Sequence, residues 1–275
     1  MKNIEFKIKS KTGRDFLADA TFDAKQINLP IVIFCHGFKG FKDWGNWDLV
    51  ANEFAKEGFC FIKFNFSFNG IGLCDNKNFT LLDEFRKNTI SKELLDIESV
   101  LDFVYKSDEL KEYVDVNNIN LIGHSRGAAT AFIAASMSKK FNKIAGWAGV
   151  YDLLNWVNKY DVKKWEEDGS LAFQNTRTKQ EIKVDFSCAK EIIDGEYTPS
   201  KYLIKIEIPI LLVHGEKDEA VSYLESKTVY GNILHSIYIP VEEAGHTFGI
   251  KHPGENKLPA SMQEVLENTI EFFKD

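Results

Sequence analysis

The sequence predicts an α/β architecture, a mostly parallel sheet with helices on both faces. Three observations carry that prediction. Continuous apolar runs of strand length recur at 31–35, 59–64, 119–122, 144–148, 210–213 and 236–239, as expected of strands buried on both faces. Amphipathic helical stripes alternate with them. The chain has 275 residues and 44% apolar content, enough for one domain of this kind, 1–275, with a full core.

The opening differs from the rest. Ile4, Phe6 and Ile8 alternate with polar residues, and Phe16, Ala18 and Ala20 do so after Thr12-Gly13. This predicts an antiparallel hairpin. The run at 31–35 is the first buried strand. A short helix is expected over 49–56, ahead of the run at 59–64. Ile90, Leu94, Ile97, Leu101 and Val104 recur at helical spacing and predict a longer helix. The run at 119–122 leads into Gly123-His124-Ser125-Arg126-Gly127, and a small-residue helix pattern follows with Ala128, Ala129, Ala131, Ala134 and Ala135. Met262, Val265, Leu266, Thr269, Ile270 and Phe273 mark one side of a closing helix.

The segment 155–206 breaks this rhythm. It has no apolar run of sheet type, nine basic and nine acidic residues, and the aromatics Trp156, Trp165, Phe173, Phe186 and Tyr197. Long connections of this sort often serve function. The segment is expected to form an inserted cap over the sheet edge.

Bulk properties exclude several classes. There is no opening hydrophobic stretch and no run of 18 apolar residues, so neither a secretion signal nor a membrane span is expected. Cys35, Cys60, Cys74 and Cys188 show no paired spacing, which fits a reduced, cytoplasmic setting. The net charge is −7 with no basic cluster, so nucleic acid is not an expected partner. No Cys/His set has metal-ligand spacing and no Gly-rich phosphate loop is present, so neither metal nor cofactor is expected. The expected partner is a small molecule, bound by a monomer or homodimer.

Gly123-His124-Ser125-Arg126-Gly127 is a Gly-x-Ser-x-Gly pattern between a strand and a helix, the setting of a nucleophile elbow. The turn strains the serine backbone and lifts its hydroxyl off the sheet edge. Side chains two residues before and after would collide with the neighbouring strand or helix. A serine needs a base, commonly a histidine oriented by a carboxylate. In elbow enzymes the chain order is serine, acid, histidine. Of six histidines, His246 and His252 are the late loop residues. His246 is favoured because its glycine-flanked loop directly follows the last strand. Asp218 is the favoured acid, past the turn after the run at 210–213. Glu216, Glu219 and Asp152 are the alternatives.

Two N–H donors should face the developing oxyanion. One is the backbone N–H of Arg126, the other that of Phe38 in the turn His36-Gly37-Phe38-Lys39-Gly40. His36 and Gly37 should shape that turn. Arg126 itself needs a partner once buried, and Asp43 or another carboxylate near the turn is expected to supply it. Trp44, Trp147 and Trp156, with Phe38 and Phe41, are expected near the substrate pocket.

Taken in order, the His36-Gly37-Phe38 turn, the Ser125 elbow, the Asp218 turn and the His246 loop resemble the α/β-hydrolase superfamily across nearly the whole chain. The chain is most similar to the bacterial branch with cinnamoyl/feruloyl esterases, dienelactone hydrolases and prolyl oligopeptidase catalytic domains. His36-Gly37-Phe38-Lys39-Gly40 with Asp43-Trp44, and Phe64-Asn65-Phe66-Ser67 with Gly70, carry that similarity. The resemblance implies the α/β-hydrolase fold with a sheet of about eight strands. It also implies a Ser–His–Asp triad, no cofactor, and ester hydrolysis through an acyl-enzyme. Dienelactone hydrolases use cysteine where this chain has Ser125, and there is no room for the propeller of prolyl oligopeptidases. The leading expectation is a carboxylesterase for small, largely apolar acyl esters. An aminopeptidase or amidase on the same residues is a second reading. A non-catalytic, hydrolase-like binding protein is a third.

Overall fold

The computed structural model describes residues 1–75, 77–175, 178–195 and 197–275. β1 (Lys2–Lys9) and β2 (Asp15–Phe22) form the predicted hairpin, with Ile4 opposite Ala20 and Ile8 opposite Phe16. β3 (Leu29–Cys35) is followed by α1 (Trp47–Lys56) and β4 (Cys60–Phe64). The short α2 (Leu82–Phe85) precedes α3 (Ile90–Lys106), which carries the predicted apolar stripe. The Thr89 side chain accepts a hydrogen bond from Lys92 N–H and caps α3, satisfying one of the first-turn donors. β5 (Val114–His124), α4 (Arg126–Met137) and β6 (Lys143–Trp147) complete the first half.

Between β6 and the next sheet strand lies the insertion. It contains α5 (Leu153–Val157), α6 (Val162–Asp168), a hairpin of β7 (Ser170–Gln174) and β8 (Glu181–Asp185), α7 (Phe186–Ile193) and α8 (Pro199–Tyr202). The hairpin pairs only with itself among the described residues. Its alternating pattern is short, and only one side is packed, so no sheet-type run announces it. Residues 176, 177 and 196 of the expected cap lie outside the described residues. β9 (Ile210–Gly215), α9 (Leu224–Asn232), β10 (Ser236–Val241) and α10 (Ala260–Lys274) close the chain.

The main sheet has eight strands in the order β1-β2-β4-β3-β5-β6-β9-β10. Only β1 with β2 and β2 with β4 run antiparallel; the other pairs are parallel. One core packs the sheet against α3, α4 and the insertion, and the other packs it against α1 and α10. Parallel strands end at one edge of the sheet, and that edge is where ligands bind in open α/β folds. β3, β5, β9 and β10 all lead into the candidate site there. Among the described residues, no helix is long and apolar enough to cross a membrane.

Candidate active site

Ser125 sits between β5 and α4 with φ 57° and ψ −127°. Its N–H donates to Trp147 C=O at 2.9 Å, and its C=O accepts from Ala128 and Val150 N–H, each at 3.0 Å. Bonds to both sides hold a backbone that L residues rarely adopt. The flanking glycines are needed sterically. A Cβ on Gly123 would overlap the backbone of Ala128, and one on Gly127 would overlap the carbonyls of Cys35 and His36 at the end of β3.

The structure brings His246 and Asp218 to this serine. His246 Nε2 lies 2.9 Å from Ser125 Oγ, and His246 Nδ1 lies 2.8 Å from Asp218 Oδ2. A carboxylate can only accept, so Nδ1 carries the proton and Nε2 is left to accept from the hydroxyl. Burial works to raise the Asp218 carboxyl. The hydrogen bonds from His214 and His246 outweigh it and hold the group well below the usual range. The alternatives lie elsewhere. Asp152 caps α5 through Asn155 N–H. Glu216 and Glu219 are exposed. His252 accepts from Gly45 N–H at 2.9 Å and stacks on Trp44.

Two further histidines brace this arrangement, and sequence reasoning passed over both. His214 Nε2 faces Asp218 Oδ2 at 3.1 Å and Val221 C=O at 3.0 Å, while its Nδ1 meets Ser226 Oγ at 2.8 Å. Two acceptors at Nε2 place its proton there, so His214 donates to the acid. His124 Nε2 donates to His246 C=O at 3.0 Å and fixes that loop. Burial, followed by the nearby His246, lowers His124 to about 3, so it is neutral near pH 7. The signal for His124 was its place inside the elbow; for His214 there was none beyond a strand end.

The turn after β3 packs directly on the nucleophile. A Cβ on Gly37 would sit 2.8 Å from Ser125 Cβ and 3.3 Å from its Oγ. Gly40 N–H closes the turn onto Gly37 C=O at 2.9 Å. His36 shapes the turn from below. Its Nδ1 donates to Gly37 C=O at 3.0 Å, and its Nε2 faces Phe66 N–H and Asn69 Nδ2, each at 3.3 Å. Burial, with the Arg126 charge adding to it, lowers His36 to about 4. Arg126 begins α4, so its N–H has no carbonyl one turn back within the helix. Both proposed oxyanion donors, Phe38 and Arg126, therefore belong to backbone beside Ser125.

The Arg126 side chain does not pair with Asp43. Its Nη2 donates to Glu93 Oε1, and Glu93 Oε2 accepts from Thr130 Oγ1 at 2.7 Å. Both charges are buried. The guanidinium also lies 4.9 Å from the Phe38 ring and 5.8 Å from the Trp156 ring. Glu93 is on α3, which packs beside α4, and sequence distance hid the pairing. Asp43 instead binds two buried lysines, Lys63 at 2.6 Å and Lys42 at 2.8 Å. Asp19 meets both lysines too, and Asp48 meets Lys63 at 2.9 Å. Asp19, Asp43 and Asp48 have carboxylate oxygens within 4.8 Å of one another, a spacing that could hold a cation. Lys63 bridges all three and Lys42 meets two of them, so two ammonium groups offset most of their charge.

A cleft of about 410 Å³ opens over Ser125 and His246, within the range of small-molecule sites. Trp44, Phe38, Phe41 and Phe79 contribute apolar wall, and Asn175, at the end of the β7–β8 hairpin, reaches it from the insertion. Trp147 does not line it. It is wholly buried against α10, with Nε1 donating to Thr269 Oγ1 at 3.0 Å. Its position at the end of β6 turns the ring to the face opposite the insertion. Trp156 is also off the cleft surface. It stands behind Phe38, edge to face at 5.6 Å between ring centroids. Phe79 and Asn175 went unnoticed because neither lies in a periodic pattern.

The family model BD-FAE matches residues 21–233. A solved structure of Est1E from Butyrivibrio proteoclasticus with ferulic acid bound is similar, with 19% identity, 98% of each chain covered and a TM-score of 0.76. A putative dienelactone hydrolase from Klebsiella pneumoniae shows 16% identity, 100% coverage of each chain and a TM-score of 0.62. An uncharacterized 31.7 kDa protein in the traX-finO intergenic region of Escherichia coli is 23% identical over 260 residues, 82% of this chain and 85% of that one. The structural likenesses are those of the α/β-hydrolase fold, with its mainly parallel eight-stranded sheet. The chain belongs to the BD-FAE family, within the α/β-hydrolase superfamily.

Proposed function

We propose that this protein is a serine hydrolase that cleaves small carboxylic esters with a largely apolar acyl group. One observation carries the reading: hydrogen bonds of 2.8 and 2.9 Å link Asp218 Oδ2, His246 and Ser125 Oγ in one chain at a strained elbow. In this mechanism Ser125 Oγ bonds to the ester carbonyl carbon as His246 Nε2 takes its proton. The oxyanion is held by the backbone N–H groups of Phe38 and Arg126. The C–O bond to the alcohol then breaks, and His246 returns its proton to the leaving oxygen. Water repeats the sequence on the acyl-enzyme. Asp218 stabilises the imidazolium between the two transfers. The insertion 155–206 serves as the cap.

Trp44, Phe41 and Phe79 support an apolar acyl preference. Est1E, with ferulic acid in its structure, fits the same choice. An aminopeptidase would need a carboxylate for the substrate amine, and none of the described residues lining the cleft is Asp or Glu. The test is labelling with a fluorophosphonate probe, mapped by mass spectrometry. The expected adduct is on Ser125, absent in Ser125→Ala and strongly reduced in His246→Ala. Folded protein that takes no label would overturn the reading in favour of a non-catalytic binding protein.

A further inference from the structure

Lys39 is the third residue of the turn that closes from Gly40 N–H to Gly37 C=O. Its φ is 60°. Glycine or asparagine is favoured at such a position, because a Cβ there is strained. A lysine at this place gains nothing for the turn itself. Its side chain needs another reason.

That side chain lines the same cleft as Ser125 and His246. It is half-buried, with Nζ 5.8 Å from the Phe38 ring centroid. No carboxylate lines the cleft among the described residues. Lys39 also has no ion pair or hydrogen-bonded side-chain partner among them. The contrast with Lys42 and Lys63 is direct: both are buried, and each is met by at least two carboxylates. Lys39 instead feels only burial, which lowers its ammonium below the ordinary range. An ammonium that loses water without gaining an anionic or hydrogen-bonded partner is costly. An anion entering the cleft would relieve that cost and gain a charge-assisted hydrogen bond.

We infer that the substrate carries an anionic group, most simply a carboxylate, which Lys39 binds beside the oxyanion turn. Trp44 and Phe41 still pack against the apolar part, so the substrate is an ester with one apolar and one anionic portion. This rests on the hydrolase reading of Ser125, which the experiment tests separately. The anion sits on the acyl group or on the alcohol, and two substrate pairs distinguish these. Phenyl hydrogen adipate against phenyl methyl adipate places it on the acyl group. Para-butyryloxybenzoate against its methyl ester places it on the alcohol.

The expected result is a higher kcat/KM for the anionic member of one pair. Lys39→Met should lower that anionic-to-neutral ratio about tenfold to a hundredfold, the worth of one hydrogen bond to a charged group. High salt should lower it too. Lys39→Gly should lose the same ratio yet melt no lower than wild type, because glycine accepts the left-handed backbone. This separates charge from folding. A ratio unchanged in both variants, or no anionic preference in either pair, overturns the inference. In parallel, monomethyl and dimethyl adipate are titrated into Ser125→Ala with and without Lys39→Met. If Ser125 takes no fluorophosphonate and no ester reacts, the hydrolase reading falls. The titration then decides: monomethyl adipate binding that depends on Lys39 upholds the anion site, and binding that ignores Lys39 removes it.

Discussion

The floor of the cleft is made from residues at the ends of sheet strands, whereas its wall comes largely from segments outside the sheet. Ser125 follows β5, Asp218 follows β9, and the His246 loop follows β10. Each is fixed by backbone bonds or by a second histidine, as His214 fixes Asp218 and His124 fixes His246. The wall draws Phe79 from the stretch between β4 and α3, and Asn175 from the insertion. These two segments hold one another. Asp185 N–H donates to Arg86 C=O at 2.7 Å, and Arg86 pairs with Asp185 at 2.6 Å. The lesson is a division of labour. The floor fixes Ser125, His246 and Asp218 to one another, and the wall residues Phe79 and Asn175 take no part in those bonds.

Phe38 and Arg126 join the two regions. The Phe38 ring meets Trp156 and Phe173 from the insertion and Phe85 from α2, while its neighbour Gly37 packs against Ser125. Arg126 belongs to the floor by its backbone and reaches the same aromatic group with its side chain. Glu93 is what allows that cation to be buried.

The largest effect is expected at the floor. Asp218→Asn should lower kcat by roughly 10⁴ with little change in KM, because the histidine loses its correct tautomer. Steady-state kinetics on a short phenyl ester measures this. A loss confined to KM would mean that the floor does not fix the chemistry.

The junction comes next. Glu93→Ala leaves the Arg126 charge buried and should destabilise the fold by about 3–5 kcal/mol. Adding Arg126→Met should restore much of that loss. Denaturant unfolding of the two variants would show it. Equal stability of the single and double variants would mean that Arg126 finds another partner.

The wall should give the smallest effect. Trp44→Ala should raise KM by about tenfold, with kcat within a few-fold, since it removes apolar contact rather than transition-state contact. Trp147→Ala should do the reverse: a loss of about 3–5 kcal/mol of stability, as for other large core truncations. If Trp147→Ala instead altered KM in a fully folded protein, the placement of that ring in the core would be wrong.

How much was legible follows from where each residue lies in the chain. The strand runs, the hairpin around Thr12-Gly13 and the stripes of α3 and α10 could be read because burial imposes a period on the sequence. The elbow could be read because three short-range constraints meet within five residues: two glycines forced by close backbone contact and a serine at positive φ. Asp218 and His246 could be located because each follows the end of a recognisable strand. What the sequence left open depended on rotation and long-range contact. Trp147 and Trp156 are both aromatic, one at the end of β6 and one after it, and only the pleat of β6 and the packing of α10 decide that Trp147 joins the core on the α10 side while Trp156 joins the core on the insertion side. Arg126 needed a carboxylate, but only the packing of α3 beside α4 selects Glu93, 33 residues away, over Asp43. Local periodicity and local sterics are written along the chain. The choice of partner for a buried charge, and the face to which a ring turns, are decided only when distant elements come to share one space.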